Sequence, residues 1–326
     1  MTALISATVE RWPVAGAFII SRGAKTHVDV VVCTVGDGAY RGRGEGTAIY
    51  YEGETAESCA AAIRAYSGPL DRQALLTHMP RGAARNALDC ALWDLEASRM
   101  GVPVWRLAGL DEPAPLATAF TISLGDPDRM EADARTAAAR GFGLLKCKLT
   151  GEGDQARITA VRAGAPDVRL IVDANESWHD RDLAGEAAAL AALGVEMVEQ
   201  PIRHGQEQRL SGVAAPIPFC ADESCHTRAD LDRLGAFAAV NIKLDKAGGL
   251  TEALALSREA RGRGFRVMVG CMLGTSLGIA PAALVAQGAD WVDLDGALLL
   301  AEDRDGALAV DRGMLTPGAL WGLGGS

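Results

Sequence analysis

Three carboxylates and three lysines fall at the ends of short apolar runs, and their spacing suits chemistry around one cation. The runs from Val168 to Asp173, Val195 to Glu199 and Ile217 to Asp222 each end in an acid. The run from Gly143 to Lys148 ends in Lys146 and Lys148, and that from Ala239 ends in Lys243. Packed at one mouth without a cation, Asp173, Glu199 and Asp222 would raise one another's pKa. A hard divalent ion relieves that repulsion, and three monodentate oxygens leave about half of a magnesium octahedron for water and substrate. A lone acid at a strand end is more simply a loop residue or a helix cap. Three in register beside lysines favour a metal. Lys146 and Lys148, two apart on a strand, share a face. Like charge and desolvation both lower a lysine pKa, so the pair offers a way to hold one neutral as a base. Lys243 approaches the same centre from another side, while Lys246 is expected to face away, on the solvated rim. A cation with a base on each side suits removal of the proton next to a substrate carboxylate. The cation stabilises the enediolate, and the second lysine returns a proton to the opposite face.

Such residues need a scaffold that brings distant strand ends together. The markers at 148, 173, 199, 222, 243, 270 and 293 recur at intervals that fit one β-strand and one returning helix. Repeated βα units close into a parallel barrel whose chemistry sits at the C-terminal strand ends. Ala117 to Leu124 is expected to be the first barrel strand, with Asp126-Pro127 starting the helix after it. Later helices are expected to start near Asp154, Asp180, Thr227, Gly249 and Thr275.

Residues 1–48 read as strands, with turns at Ser21 to Lys25 and Gly36 to Gly38. Tyr40 to Thr47, with three glycines, suggests a further strand and a mobile loop. Residues 54–100 read as helices, the strongest from Arg81 to Met100, where Ala84, Leu88, Ala91, Leu92 and Leu95 recur at helical spacing. The expected division is an α+β capping domain over 1–112, a barrel over 113–300, and a tail over 301–326 that packs back on the first domain. Gly324 to Ser326 is expected to fray.

The 326 residues suffice for one barrel and a smaller domain, and 49% hydrophobic content supplies the core. A net charge of −10 argues against nucleic acid or an anionic membrane as the main partner. No uncharged apolar stretch is long enough for a transmembrane helix, and the N-terminus does not read as a signal peptide. The seven cysteines form no CxxC pair and an odd count leaves at least one unpaired; Cys33, Cys90, Cys147, Cys220 and Cys271 lie in apolar runs and read as reduced thiols, which points to a reducing, cytoplasmic compartment. The five histidines form no zinc-type ligand pair.

The chain resembles the enolase superfamily, in its muconate-lactonising subgroup, over nearly its whole length. The motifs that carry the likeness are Lys146-Cys147-Lys148, Asp173-Ala174-Asn175-Glu176, Glu199-Gln200-Pro201, Ala221-Asp222-Glu223-Ser224, Asn241-Ile242-Lys243 and Arg85 to Asp94. Each is weak alone; all of them in order are specific. The resemblance implies an α/β fold, an enolase-like modified TIM barrel (β/α)7β under an α+β capping domain. It implies one Mg2+ on Asp173, Glu199 and Asp222, with Asn175 and Glu223 beside the metal acids. Lys148 and Lys243 would be the acid/base pair, and Lys146 would assist.

Within that subgroup the chain is similar to dipeptide epimerases, especially those acting on L-Ala-D/L-Glu in murein peptide metabolism. Asp293 and Asp295 resemble the pair that binds the dipeptide's ammonium group. Arg22 sits where such enzymes place an arginine for the glutamate side chain. Alternatively, Asp295 caps the next segment and Arg22 is an ordinary turn residue. The second capping loop, Tyr50 to Glu54, lacks a basic residue for an acidic substrate. An N-acylamino acid racemase would share the chemistry, but an acylated nitrogen carries no charge for Asp293 and Asp295 to meet. A non-catalytic metal-dependent binding protein would not need paired bases. Homo-oligomers are common among such barrels, and no interface signal is visible.

Overall fold

The computed structural model describes residues 4–20 and 23–323. Three antiparallel strands, β1 (Leu4–Ile20), β2 (Gly23–Gly36) and β3 (Arg41–Thr47), form the first sheet in that order. The period of two along β2 splits its valines. Val28, Val30 and Val32 join the main core shared with the barrel, while Val31, Cys33 and Val35 join a second core under the capping helices. Those helices are α1 (Ala56–Ala65), α2 (Arg72–His78), α3 (Ala83–Met100) and the single turn α4 (Val104–Leu107). The three glycines of β3 are a packing surface, and no mobile loop interrupts that strand. A Cβ on Gly42, Gly44 or Gly46 would lie 2.1, 2.2 or 2.3 Å from the carbonyl oxygens of Ala91, Ala87 and Ala83. Helix α3 therefore rests directly on the backbone of β3.

A two-residue strand, β4 (Leu116–Ala117), precedes the barrel. The barrel strands are β5 (Phe120–Ile122), β6 (Leu144–Lys148), β7 (Arg169–Asp173), β8 (Val195–Glu199), β9 (Phe219–Ala221), β10 (Ala239–Ile242), β11 (Arg266–Gly270) and β12 (Trp291–Asp293). They pair in parallel and in sequence order. Ala119 N donates to Val292 O at 2.8 Å, which brings the first and last strands together. The returning helices are α5 (Pro127–Ala139), α6 (Asp154–Gly164), α7 (Leu183–Ala192), α8 (Leu244–Ala247), α9 (Leu250–Gly262) and α10 (Ser276–Val285). Asp126 caps α5 from its side chain with Pro127 at the first helical position, as the sequence predicts. At Thr227 the expected helix is a 3-10 turn over Arg228–Arg233.

The first barrel strand is shorter than the expected Ala117 to Leu124 at both ends: Ala117, with Leu116 before it, pairs elsewhere, and Leu124 N donates to Ile19 O at 3.0 Å. Leu116 and Ala117 bond antiparallel to β14 (Met314–Thr316), which forms a hairpin with β13 (Ala309–Asp311). The chain then reaches the capping segment, where Trp321 Nε1 donates to Arg43 O at 2.9 Å and Gly322 N to Asp94 Oδ1 at 2.9 Å. Gly324 to Ser326 lie outside the described residues. Among the described residues, no helix is long and apolar enough to cross a membrane.

Candidate active site

The inside of the barrel is layered, and the layering places the polar residues. Ala119, Leu144, Ile171, Met197, Cys220, Ala239, Met268 and Trp291 form one buried apolar cluster, one residue on or beside each strand. Side chains two residues further on face the same way. That step leads to Thr121, Lys146, Asp173, Glu199, Asp222, Asn241, Gly270 and Asp293. A further step on three strands gives Lys148, Lys243 and Asp295. The apolar layer is the floor on which the polar ring stands. Gly270 leaves room in that ring, since a Cβ there would sit 2.8 Å from Asn241 Oδ1 and 3.2 Å from Lys243 Cε.

Asp173, Glu199 and Asp222 are buried, and one carboxylate oxygen of each lies within 4.8 Å of the others. The lysines flank them in strand order, with β6 on one side and β10 on the other. Lys148 Nζ donates to Asp173 Oδ2 at 2.7 Å, and Lys243 Nζ to Asp222 Oδ2 at 2.7 Å. Lys146 Nζ stands 2.5 Å from Glu199 Oε2 and 2.8 Å from Asp293 Oδ2. Asn175 Nδ2 donates to Asp173 Oδ2 at 3.2 Å, and its backbone N donates to Asp173 Oδ1 at 2.9 Å. Glu223 is buried next to Asp222, with Oε1 3.5 Å from Asn175 Nδ2.

Electrostatics among these groups differ from the paired-lysine reading. Burial would lower Lys146, but Asp293, Glu199, Asp173 and Asp222 outweigh it and raise its pKa well above the ordinary value. Burial likewise opposes Lys243, and Asp222 and Glu199 raise it. The carboxylates surrounding each ammonium outweigh the like charge of the other lysines. Burial opposes ionisation of Asp173 and Asp222 too, yet the adjacent lysines hold both below the usual range. Glu199 is different: burial and Asp173 push it up to about 8. A third negative charge is costly there among protein groups alone, and a dication would remove that cost. The donor set of three convergent hard oxygens therefore fits a divalent metal such as Mg2+.

Asp293 and Asp295 are buried on the last strand and line the same pocket. Asp293 Oδ2 accepts from Lys146, while Oδ1 has no hydrogen-bond partner among the described residues. Asp295 Oδ2 accepts from Thr121 N at 2.6 Å and makes no side-chain cap for the turn after it. Burial and Asp293 push Asp295 up to about 7. Arg22 lies outside the described residues.

Several residues escape the sequence reading. Lys246 is fully buried, not on the rim, and its Nζ donates to Asp222 Oδ1 at 2.6 Å. Asn241 Nδ2 donates to Glu199 Oε1 at 2.7 Å; its place two residues before Lys243 on a strand was the available signal. Gln200 Oε1 accepts from the backbone N of Asp222 and Ser224, which fixes the turn carrying that acid. From the capping side, Phe18, Lys25, Tyr50 and Tyr51 line the pocket. Lys25 Nζ lies 4.3 Å from the centre of the Tyr50 ring, and burial lowers its pKa.

An eight-stranded parallel barrel with acids and lysines at its mouth, under an antiparallel cap, is the architecture of the enolase superfamily. The profile described as mandelate racemase / muconate lactonizing enzyme, N-terminal domain, matches residues 3–109, and the enolase C-terminal domain-like profile matches 129–326. The chain belongs to that superfamily. It is 44% identical to the L-Ala-D/L-Glu epimerase of Escherichia coli (strain K12) over 94% of this chain and 97% of the relative. It is 43% identical to an N-acetyl-D-glutamate racemase of Pseudoalteromonas sp over 79% of this chain and 82% of the relative. Among solved structures, an Agrobacterium tumefaciens enolase family member with homology to dipeptide epimerases, with bound sodium and L-Ala-L-Glu, superposes with TM-score 0.94. That pair shares 48% identity and covers 98% of this chain and 100% of the other. The Cytophaga hutchinsonii dipeptide epimerase, complexed with Mg and D-Ala-L-Val, superposes with TM-score 0.89 at 28% identity, over 99% and 94% of the two chains.

Proposed function

We propose that this chain is a Mg2+-dependent dipeptide epimerase that inverts the α-carbon of the C-terminal residue of L-Ala-D/L-Glu. The observation that carries this reading is the bracketing of the three acids by Lys148 on β6 and Lys243 after β10, each bonded to a different acid. A base on each side of one centre is what inversion requires.

Asp173, Glu199 and Asp222 hold the metal, which when bound supplies Lewis-acid stabilisation of negative charge on the substrate carboxylate, worth several kcal/mol. One lysine Nζ, neutral once the dication offsets the carboxylates that favour its ammonium form, takes the α-proton, and the C–H electron pair moves into the carboxylate as an enediolate. The other lysine Nζ, protonated, delivers its proton to the opposite face. Lys146 assists electrostatically from beneath. Asp293 and Asp295 take the dipeptide ammonium, and the unbonded Oδ1 of Asp293 supports that role. Among the described residues, Lys25 is the cation that lines the pocket from the capping side, and it suits the glutamate side chain. Arg22 keeps that role on its sequence position alone. Seven cysteines, all free, suit a cytoplasmic enzyme, and the substrate suits murein peptide turnover.

The relative that racemises N-acetyl-D-glutamate favours a second reading, racemisation of an N-acylamino acid. Incubating L-Ala-L-Glu and N-acetyl-L-Glu separately in D2O with Mg2+, followed by NMR of the α-proton, decides between them. Faster exchange and epimerisation of the dipeptide is expected; the opposite ranking moves the chain to the racemases.

A further inference from the structure

Lys243 is followed at once by α8, a helix of four residues. So short a helix has no stability of its own, so outside contacts must hold it. Lys246 reaches inward, to Asp222 Oδ1 at 2.6 Å and to the carbonyls of Cys225 and Asn241 at 2.9 Å each. Asp245 reaches outward into the capping segment. Its Oδ1 accepts from Thr47 N at 2.9 Å and from Asn86 Nδ2 of α3 at 2.8 Å. Thr47 is the last residue of β3, and the loop beyond it carries Tyr50 and Tyr51 to the pocket. Arg85 of α3 fastens the end of the turn by donating to Ala247 O at 2.7 Å and Gly248 O at 3.0 Å. The fit is close, since a Cβ on Gly248 would lie 2.5 Å from Arg85 Nε.

We infer that Asp245 is a positioning residue for Lys243, through which the capping segment sets where that lysine and Asp222 stand. The inference rests on the proposed assignment of Lys148 and Lys243 to opposite faces of the substrate. Lys243 has extended backbone at the junction of β10 and α8, and its carbonyl accepts from Ala247 N at 2.9 Å. A shift of α8 therefore carries Lys243 with it, and through Lys246 also moves Asp222. Lys148 stands apart from this linkage. It lies within the continuous ladder of β6 and β7, where it pairs with Asp173. Loss of the Asp245 anchor should consequently act on one face of the reaction more than the other, which a general loss of stability would not do.

The test measures α-hydrogen exchange in D2O for each epimer separately, with Mg2+-loaded enzyme. Lys148→Ala and Lys243→Ala first assign each epimer to its lysine. If both epimers still exchange normally in Lys243→Ala, the two-base reading fails and this inference with it. Given a clean assignment, Asp245→Ala should slow exchange of the Lys243 epimer by about tenfold more than that of the Lys148 epimer, in keeping with the cost of small misplacements. The ratio of the two rates in one enzyme solution does not depend on how much of it is folded. Asp245→Asn keeps an acceptor for Thr47 N and should fall between wild type and Asp245→Ala. Should Asp245→Ala yield no folded enzyme, Asn86→Ala, which leaves the Thr47 bond in place, must shift the ratio in the same direction. Equal slowing of both epimers in these variants overturns the inference while leaving the two-base reading intact.

Discussion

Lys146 donates to Asp293 at 2.8 Å, joining the second barrel strand to the eighth beneath the pocket. Asp293 thus divides its carboxylate: one oxygen balances the lysine, and the other has no partner among the described residues. Asp295 has no lysine among its bonds and accepts from the Thr121 backbone. The two acids should therefore fail differently. Asp295→Asn is expected to raise KM for L-Ala-L-Glu by about tenfold or more, as loss of a charge-assisted bond does, with exchange of N-acetyl-L-Glu unchanged. Asp293→Asn should lower kcat for both compounds, because Lys146 loses a balancing charge. Steady-state kinetics on both compounds would show it; the same pattern from both variants would mean that the Lys146 bond has no catalytic weight.

Removing the metal should abolish turnover. Three buried acids converge within 4.8 Å, and Glu199 is the one pushed up to about 8. Treatment with excess EDTA should inactivate the wild type, and Mg2+ should restore it. Binding linkage adds a second readout: Mg2+ at 100 times its Kd should raise unfolding stability by about 3 kcal/mol. Glu199→Gln should lose turnover and most of that stabilisation while keeping the barrel's circular dichroism. Full activity after rigorous removal of metal would refute the assignment.

The ring of acids and lysines was legible because a strand advertises a change of environment. In β7, Leu170, Ile171 and Val172 run into Asp173, and a charge closing an apolar run is conspicuous. The period of two then places it above Ile171 of the floor. Lys246 was not legible for the opposite reason. It lies in a helical turn, where its direction depends on how α8 docks, and that docking is set by Asp245 and Arg85 from contacts more than 150 positions apart in sequence. The tail hairpin was hidden similarly. Ala117 read as the start of a barrel strand, and only the approach of β14 assigns it, with Leu116 before it, elsewhere. The glycines of β3 read as flexibility because one sequence does not show the helix lying on them.

Selectivity for an acidic side chain should depend on Lys25. Its ammonium is half-buried over Tyr50, where burial lowers its pKa and an anion would be a welcome partner. Lys25→Met is expected to raise KM for L-Ala-L-Glu by about tenfold or more, the size of a lost charge-assisted bond, and to leave L-Ala-L-Leu nearly unaffected. Kinetics with the two dipeptides test this. An equal change for both would show that Lys25 shapes the pocket without reading the side-chain charge.

Asp245 also makes a prediction about stability and pH. Its ordinary value is 3.8, and burial pushes it up to about 7 against the bonds from Thr47 and Asn86. Between those values the folded chain keeps a proton that the unfolded chain has released. Stability from this group is therefore fully present below about pH 4 and is lost as pH rises through about 7. From pH 5 to pH 8 the loss spans about two pH units of differential protonation, or about 3 kcal/mol. Asp245→Asn has no proton to lose, so subtracting its unfolding free energy from that of the wild type isolates the group. Urea unfolding of both proteins at pH 5, 6, 7 and 8 should show the difference falling from pH 5 to pH 7 and levelling off by pH 8, wild type losing ground as pH rises. A difference that stays flat over this range would mean that Asp245 is already ionised at pH 5 in the folded chain, its charge carried by the Thr47 and Asn86 donors despite burial.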